Sequence, residues 1–254
     1  MTFEMGSRLH YLFIASPFLM VIFMNLGLKN QSFEQKRKWG VALSWVALLL
    51  LMLRNIEILV KNGWVMDAEV IPLQICHFAN FVLLLAFMKN NKTLFSLAFC
   101  LNLPAAMMSI IFANSLENYS TLLTFRAQAY LWGHMLIVGL TLFALTQGFI
   151  SIDKKRFLKT LGLMVVLYLS ALIISNGLSV IWGLDANYFY TIKPENGTPL
   201  ELFYTMGKTL QFQGFEVNPL YLLLTALLGG VVVSVFYGMY HLATLRWPLL
   251  RKDD

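Results

Sequence analysis

The sequence predicts an all-α, polytopic membrane bundle of seven helices, and three observations carry that expectation. The 254 residues are 58% hydrophobic and only 13% charged, about half the charged share of a soluble domain. Seven apolar runs each approach the roughly 20 residues that a helix needs to cross a bilayer core of about 30 Å. The basic residues cluster in short linkers between those runs, which is the pattern of orientation signals.

In chain order the expected spans are 9–28, 39–60, 70–88, 93–114, 128–150, 160–182 and 219–243. The first continues into the multi-span pattern and has no basic segment before it, so it reads as a span rather than a cleaved signal. The second carries Arg54, Asn55 and Glu57, and the third opens on VIPLQICHFA, with Cys76 and His77 side by side. The fourth holds Asn102 and Pro104; a mid-span proline removes a backbone hydrogen bond and predicts a kink. The fifth contains His134 and the sixth Asn176, while His10 and His241 fall at span ends and read as interfacial. Most linkers are short, so neighbouring helices are expected antiparallel and packed. The exception is 183–218, whose Pro, Gly and Asn mark turns and whose Tyr and Phe suit the headgroup zone. No soluble domain, internal repeat or low-complexity run interrupts 1–254, which reads as a single integral membrane domain.

Thirteen of the nineteen Lys and Arg residues fall on one side of this topology, five on the other, and Arg54 lies inside a span. That bias places the N-terminus outside and the C-terminus in the cytoplasm. The net charge of +6 is accounted for by these loops, and no nucleic-acid partner is expected. Both cysteines, Cys76 and Cys100, sit in apolar runs, which argues against a disulfide framework.

Polar residues at membrane depth are costly and are candidates for function. Arg54, Cys76, His134 and Asn176 each fall about six residues, roughly 9 Å at the helical rise, from the outer end of their spans. Glu57, Gln74, Asn80, Asn114 and Gln128 share that outer half. A polar pocket open to the outer face or outer leaflet is the reading. A membrane cysteine is ordinarily a small buried hydrophobe, and Cys100 takes that role. Cys76 has polar company, and a thiolate nucleophile needs a base nearby. Successive helical residues point about 100° apart, so His77 is poorly placed and His134 is the better base. A histidine donating to a backbone carbonyl is the plain alternative for His134. Arg54 and Glu57, three apart on one helix face, are expected either as a buried ion pair or as a site for a lipid phosphate, which Arg matches bidentately; Asn55 turns away from that face. In the long loop, Asp185, Asn187, Tyr188 and Lys193 are candidates to cap the pocket, against an aromatic-rich loop resting on lipid.

Three pieces, IPLQIC at 71–76, LWGHMLI around His134 and DANYFYTIKP at 185–194, resemble the YwaF-like family of bacterial integral membrane proteins, which is similar to the TMEM164 acyltransferases of animals. The resemblance spans most of the chain. It implies transfer of a fatty acyl chain from a phospholipid to a lysolipid or other hydroxyl acceptor, with Cys76 as the nucleophile and His134 as the base. The depth and loop reading gives Arg54, Glu57, Gln74, Asn80, Asn176, Asn187 and Tyr188 as candidate substrate-facing residues, and the resemblance implies a bacterial plasma-membrane location. The fourth span departs from the family pattern, with LNLPAAMMSIIFAN where relatives carry a Trp- and Gly-rich stretch. No cofactor or metal is expected: the histidines are scattered and neither a His-x-x-x-His nor a Cys-x-x-Cys spacing occurs. With water as acceptor the same chemistry is a lipase. The rival class is a non-catalytic pocket protein, such as a small-solute transporter, a sensor or a partner of envelope enzymes.

Overall fold

The computed structural model describes residues 3–246 except 114, 115, 117, 118, 120 and 196. Its helices are α1 (Arg8–Gly27), α2 (Phe33–Lys61), α3 (Ile75–Lys89), α4 (Lys92–Leu97), α5 (Leu103–Ile111), α6 (Phe125–Thr146), α7 (Lys154–Trp182), α8 (Leu200–Met206) and α9 (Pro219–Arg246). Seven stretches are long and apolar enough to cross a membrane, with 68–89 and 92–111 counting as one each. The protein is a multi-pass membrane protein. Asn114, at the expected end of the fourth span, lies outside the described residues.

Local chemistry sets where the helices begin. Ser32 and Gln35 form a reciprocal capping box, so α2 starts six residues before the expected boundary at 39. Asp153 accepts from the Arg156 N–H and starts α7 on its basic turn, six residues earlier than expected at 160. Thr124 caps α6, which starts at Phe125 and stops at Thr146, because Gly148 turns the chain at φ 77°.

The third span differs most from expectation. Pro72 holds Ile71 extended, so α3 cannot form until Ile75 and runs only 15 residues. At 1.5 Å per residue that is about 22 Å, short of a full crossing. A single 3-10 turn at Ala68–Val70 leads into it. Cys76 is therefore the second residue of a helix rather than a residue well inside one. In the fourth span the residues before Pro104 widen into a π-helical turn, Ala98–Asn102, between α4 and α5. The expected kink takes this form.

The packing centres on α6, which lies against α1, α2, α3 and α5. Phe87, Phe95, Phe143 and Phe149 fill the core at the end of the bundle opposite the long loop. Gly40 of α2 lets the Phe87 ring approach so closely that a Cβ there would stand 2.4 Å from it. In contrast, α7 and α9 bury few residues and expose Val165, Val166, Leu223, Leu227 and Val231, an apolar surface suited to lipid.

The segment 183–218 folds as a cap of short pieces: a 3-10 turn at Tyr188–Tyr190, α8, and an antiparallel hairpin of β1 (Leu210–Phe212) and β2 (Phe215–Val217) with Phe212 opposite Phe215. Its end of the bundle is called the loop end below.

Candidate active site

The reactive groups meet where α3 begins. No side chain caps this helix, and its first helical bond runs from the Phe78 N–H to the Gln74 carbonyl at 2.9 Å. The N–H groups of the first turn, including those of Cys76 and His77, thus point out of the helix end. The half-positive end of the helix dipole lies beside the thiol.

His134 of α6 lines the same cavity as Cys76 and interacts with its thiol electrostatically. Its Nδ1 is 2.7 Å from the Tyr130 carbonyl. A carbonyl only accepts, so Nδ1 carries the proton and Nε2 is left with its lone pair. The expected base and the plain alternative, a histidine donating to backbone, are thus one arrangement, in which the backbone bond sets the tautomer. The Tyr130 ring lies tilted against the imidazole, with centroids 4.3 Å apart, and its hydroxyl donates to the Ser109 carbonyl at 2.7 Å. The Ser109 hydroxyl lies 3.9 Å from the Cys76 sulfur.

Cys76, Tyr130 and His134 border a partly open cavity of about 80 Å³, roomy enough for several waters. Arg54, His77, Asn80, Tyr119 and Arg126 also line it. Two buried polar atoms on its wall, His77 Nδ1 and Asn80 Oδ1, have no hydrogen-bond partner. Buried polar atoms are nearly always paired, so this wall is prepared for a ligand or for solvent.

Of the residues singled out in the sequence, Cys76, His134, Arg54 and Asn80 converge on the cavity. The expected Arg54–Glu57 pair does not form. Arg54 bonds instead to Glu69, to its carboxylate at 3.0 Å and its carbonyl at 2.9 Å. Glu57 pairs with Lys61 and accepts the Arg126 backbone N–H at 2.9 Å, capping α6. Asn55 does not turn away: it binds the Val70 carbonyl at 2.8 Å and accepts from Arg54 at 2.9 Å. Gln74 precedes the first residue of α3 without lining the cavity.

Asn176 and Asn187 stand apart from the cavity. Asn176 exchanges two bonds with the Glu216 backbone, at 2.7 and 3.1 Å, and fastens the hairpin to α7. Asn187 folds the cap on itself through Ile192 and Lys193. Tyr188 is fully buried and ties the cap to the approach to α3 by donating to the Ala68 carbonyl at 2.8 Å. Burial pushes its phenol up to about 12, so it stays a neutral donor. The next two residues, Phe189 and Tyr190, both take positive φ, 53° and 52°, a conformation that costs about 1–3 kcal/mol per non-glycine residue. Phe189 lies against Phe78 of α3, centroids 6.5 Å apart, a contact that helps to impose this conformation.

Sequence reasoning missed Glu69, Ser109, Tyr119, Arg126 and Tyr130. Tyr130 lies one helical turn before His134, and depth matching applied to hydroxyls would have found it. Glu69 and Arg126 look like ordinary loop charges until Pro72 and the cap of α6 fold them inward. Among the described residues no three His, Cys, Asp or Glu side chains gather as a metal site.

A multi-pass membrane protein with a cysteine–histidine pair at the mouth of a polar cavity is the class that fold and site define. A model of the TMEM164 family matches residues 5–240. The chain belongs to that family. No curated protein and no solved structure matches it.

Proposed function

We propose that the protein is a membrane acyltransferase that works through a thioester on Cys76. One observation carries the reading: the Cys76 thiol, in the first turn of α3, lines one cavity with a His134 whose Nδ1 is committed to the Tyr130 carbonyl. Family membership supports it, as do the seven helices long and apolar enough to cross a membrane.

In the first half-reaction His134 Nε2 takes the thiol proton and the thiolate attacks the ester carbonyl of a phospholipid. The carbonyl oxygen becomes an oxyanion, for which the first-turn N–H groups of α3 are the nearest fixed donors. The ester C–O bond breaks, the leaving alkoxide takes the proton from His134, and the acyl chain remains on sulfur. In the second, a lysolipid or other alcohol gives its proton to His134 and attacks the thioester; the C–S bond breaks and the proton returns to the thiolate. Water in place of the alcohol makes the enzyme a lipase. The bias of basic residues toward one side supports a site in the outer half of the membrane, and the resemblance to bacterial relatives supports a plasma-membrane location.

Intact-protein mass spectrometry of the detergent-purified protein tests this after incubation with phospholipid vesicles. The expected result is an added mass of one acyl chain that hydroxylamine removes and that Cys76→Ala lacks. No adduct across several phospholipid classes, with a Cys76 inert to thiol-reactive lipid probes, leaves the cavity as a solute or sensor site and ends the acyl-enzyme model.

A further inference from the structure

Two guanidinium groups at this cavity share one carboxylate. Arg54 donates to Glu69 at 3.0 Å and Arg126 at 2.6 and 2.8 Å. Glu57 does not neutralise the second arginine side chain, because its carboxylate is taken by Lys61 and by the Arg126 backbone N–H. Asp67 acts on Arg54 through charge, but among the described residues no carboxylate other than the shared Glu69 pairs with the Arg126 guanidinium. The Nε of Arg126 is buried and has no partner, while the side chain as a whole is 39% exposed, so one donor of a solvent-reachable guanidinium has nothing to receive its proton. Leaving such a group unmatched is expensive. The guanidinium also lies 5.6 Å from the centre of the Tyr119 ring, which fixes its plane.

We propose that Arg126 and Arg54 form an anion subsite for a phosphate group, with Glu69 as a built-in counter-ion that the ligand partly displaces. A phosphate offers several acceptor oxygens, which match the free Arg126 donor and the forks of both arginines. The subsite borders the same cavity as Cys76. A phosphate bound there anchors the head of a phospholipid, so that its ester lies toward the thiol; this last placement rests on the acyl-transfer reading, whereas anion binding does not.

The test uses the full-length Cys76→Ala protein, in which no acyl-enzyme forms, so its outcome is independent of the thioester experiment. Native mass spectrometry reads retention of dioleoyl-phosphatidylglycerol against dioleoylglycerol, which lacks the phosphate; a thermal-shift arm uses inorganic phosphate. The expected result is preferential retention of the phosphatidylglycerol, weakened at least about tenfold by Arg126→Gln and less by Arg126→Lys, with no change in Lys208→Gln. Glu69→Gln, which frees both arginines, is expected to tighten retention several-fold. A purely structural ion pair predicts lower thermal stability in that variant and no tighter binding. Stabilisation by inorganic phosphate identifies a site that takes the free anion, and lipid retention without it identifies a headgroup site. Equal retention of both lipids with no effect of phosphate, or retention unchanged in Arg126→Gln and not raised in Glu69→Gln, overturns the proposal.

Discussion

At the scale of single residues, the cavity separates groups that do chemistry from groups that place them. His134→Gln keeps a side chain of similar reach but loses the Nε2 base. Loss of a general base costs about 10²- to 10⁴-fold, and the rate at which the Cys76 adduct appears is expected to fall within that range while the fold is retained. An adduct that forms at the wild-type rate would remove His134 from the mechanism. The same residues show what a sequence discloses. Cys76 and His134 were legible because each is an ionisable or reactive group at similar depth in an apolar run, a signal needing no partner information. The partner of Arg54 was not. Helical spacing offered Glu57, three residues on, but Arg54 reaches Glu69 across a turn, and no periodicity within one helix encodes a contact made by the segment that follows it.

At the scale of elements, two helix interruptions shape the site, and both trace to proline. Pro72 delays α3 so that its open N-terminus, rather than its middle, meets the cavity. Pro104 accompanies the π turn that contains Asn102, whose amide nitrogen and oxygen are both buried without a partner. An unmatched buried amide costs about 1–3 kcal/mol. Asn102→Leu is therefore expected to raise the thermal midpoint in detergent; a lowered midpoint would mean that the amide holds an internal water. Packing between α2 and α3 makes a second test. A methyl at Gly40 runs into the buried Phe87 ring, and overpacking of this kind costs about 1–3 kcal/mol. Gly162 of α7 has nothing within 4 Å of an added Cβ, so alanine there gains helix propensity of about 0.5–1 kcal/mol. Opposite shifts of the midpoint in Gly40→Ala and Gly162→Ala are expected, and matching shifts would contradict the packing described. Neither interruption has a boundary that hydropathy alone can mark, because the residues remain apolar through both.

At the scale of the whole molecule, seven spans were legible because length and apolarity are summed over some 20 residues and tolerate local error. The hub role of α6 was not, since α9 is as apolar as any span yet lies at the rim: burial depends on neighbours, not on composition. Membrane orientation belongs to this scale too. It decides which leaflet the Cys76 cavity meets, and the chain carries thirteen basic residues on one predicted side against five on the other. Such a bias sets topology during insertion and leaves no mark in the packing of the finished bundle, so it has to be measured in cells. In a Cys76→Ala background, with Cys100 fully buried, Thr205→Cys places an exposed thiol in the cap and Asn30→Cys places one in the first basic loop. A membrane-impermeant maleimide is expected to label the Thr205 variant in intact cells and the Asn30 variant only after permeabilisation. The reverse pattern would turn the molecule over and move the cysteine–histidine pair to the cytoplasmic leaflet. The lipid donors and acceptors of the proposed acyl transfer would then be drawn from a different pool, although no distance within the site would change.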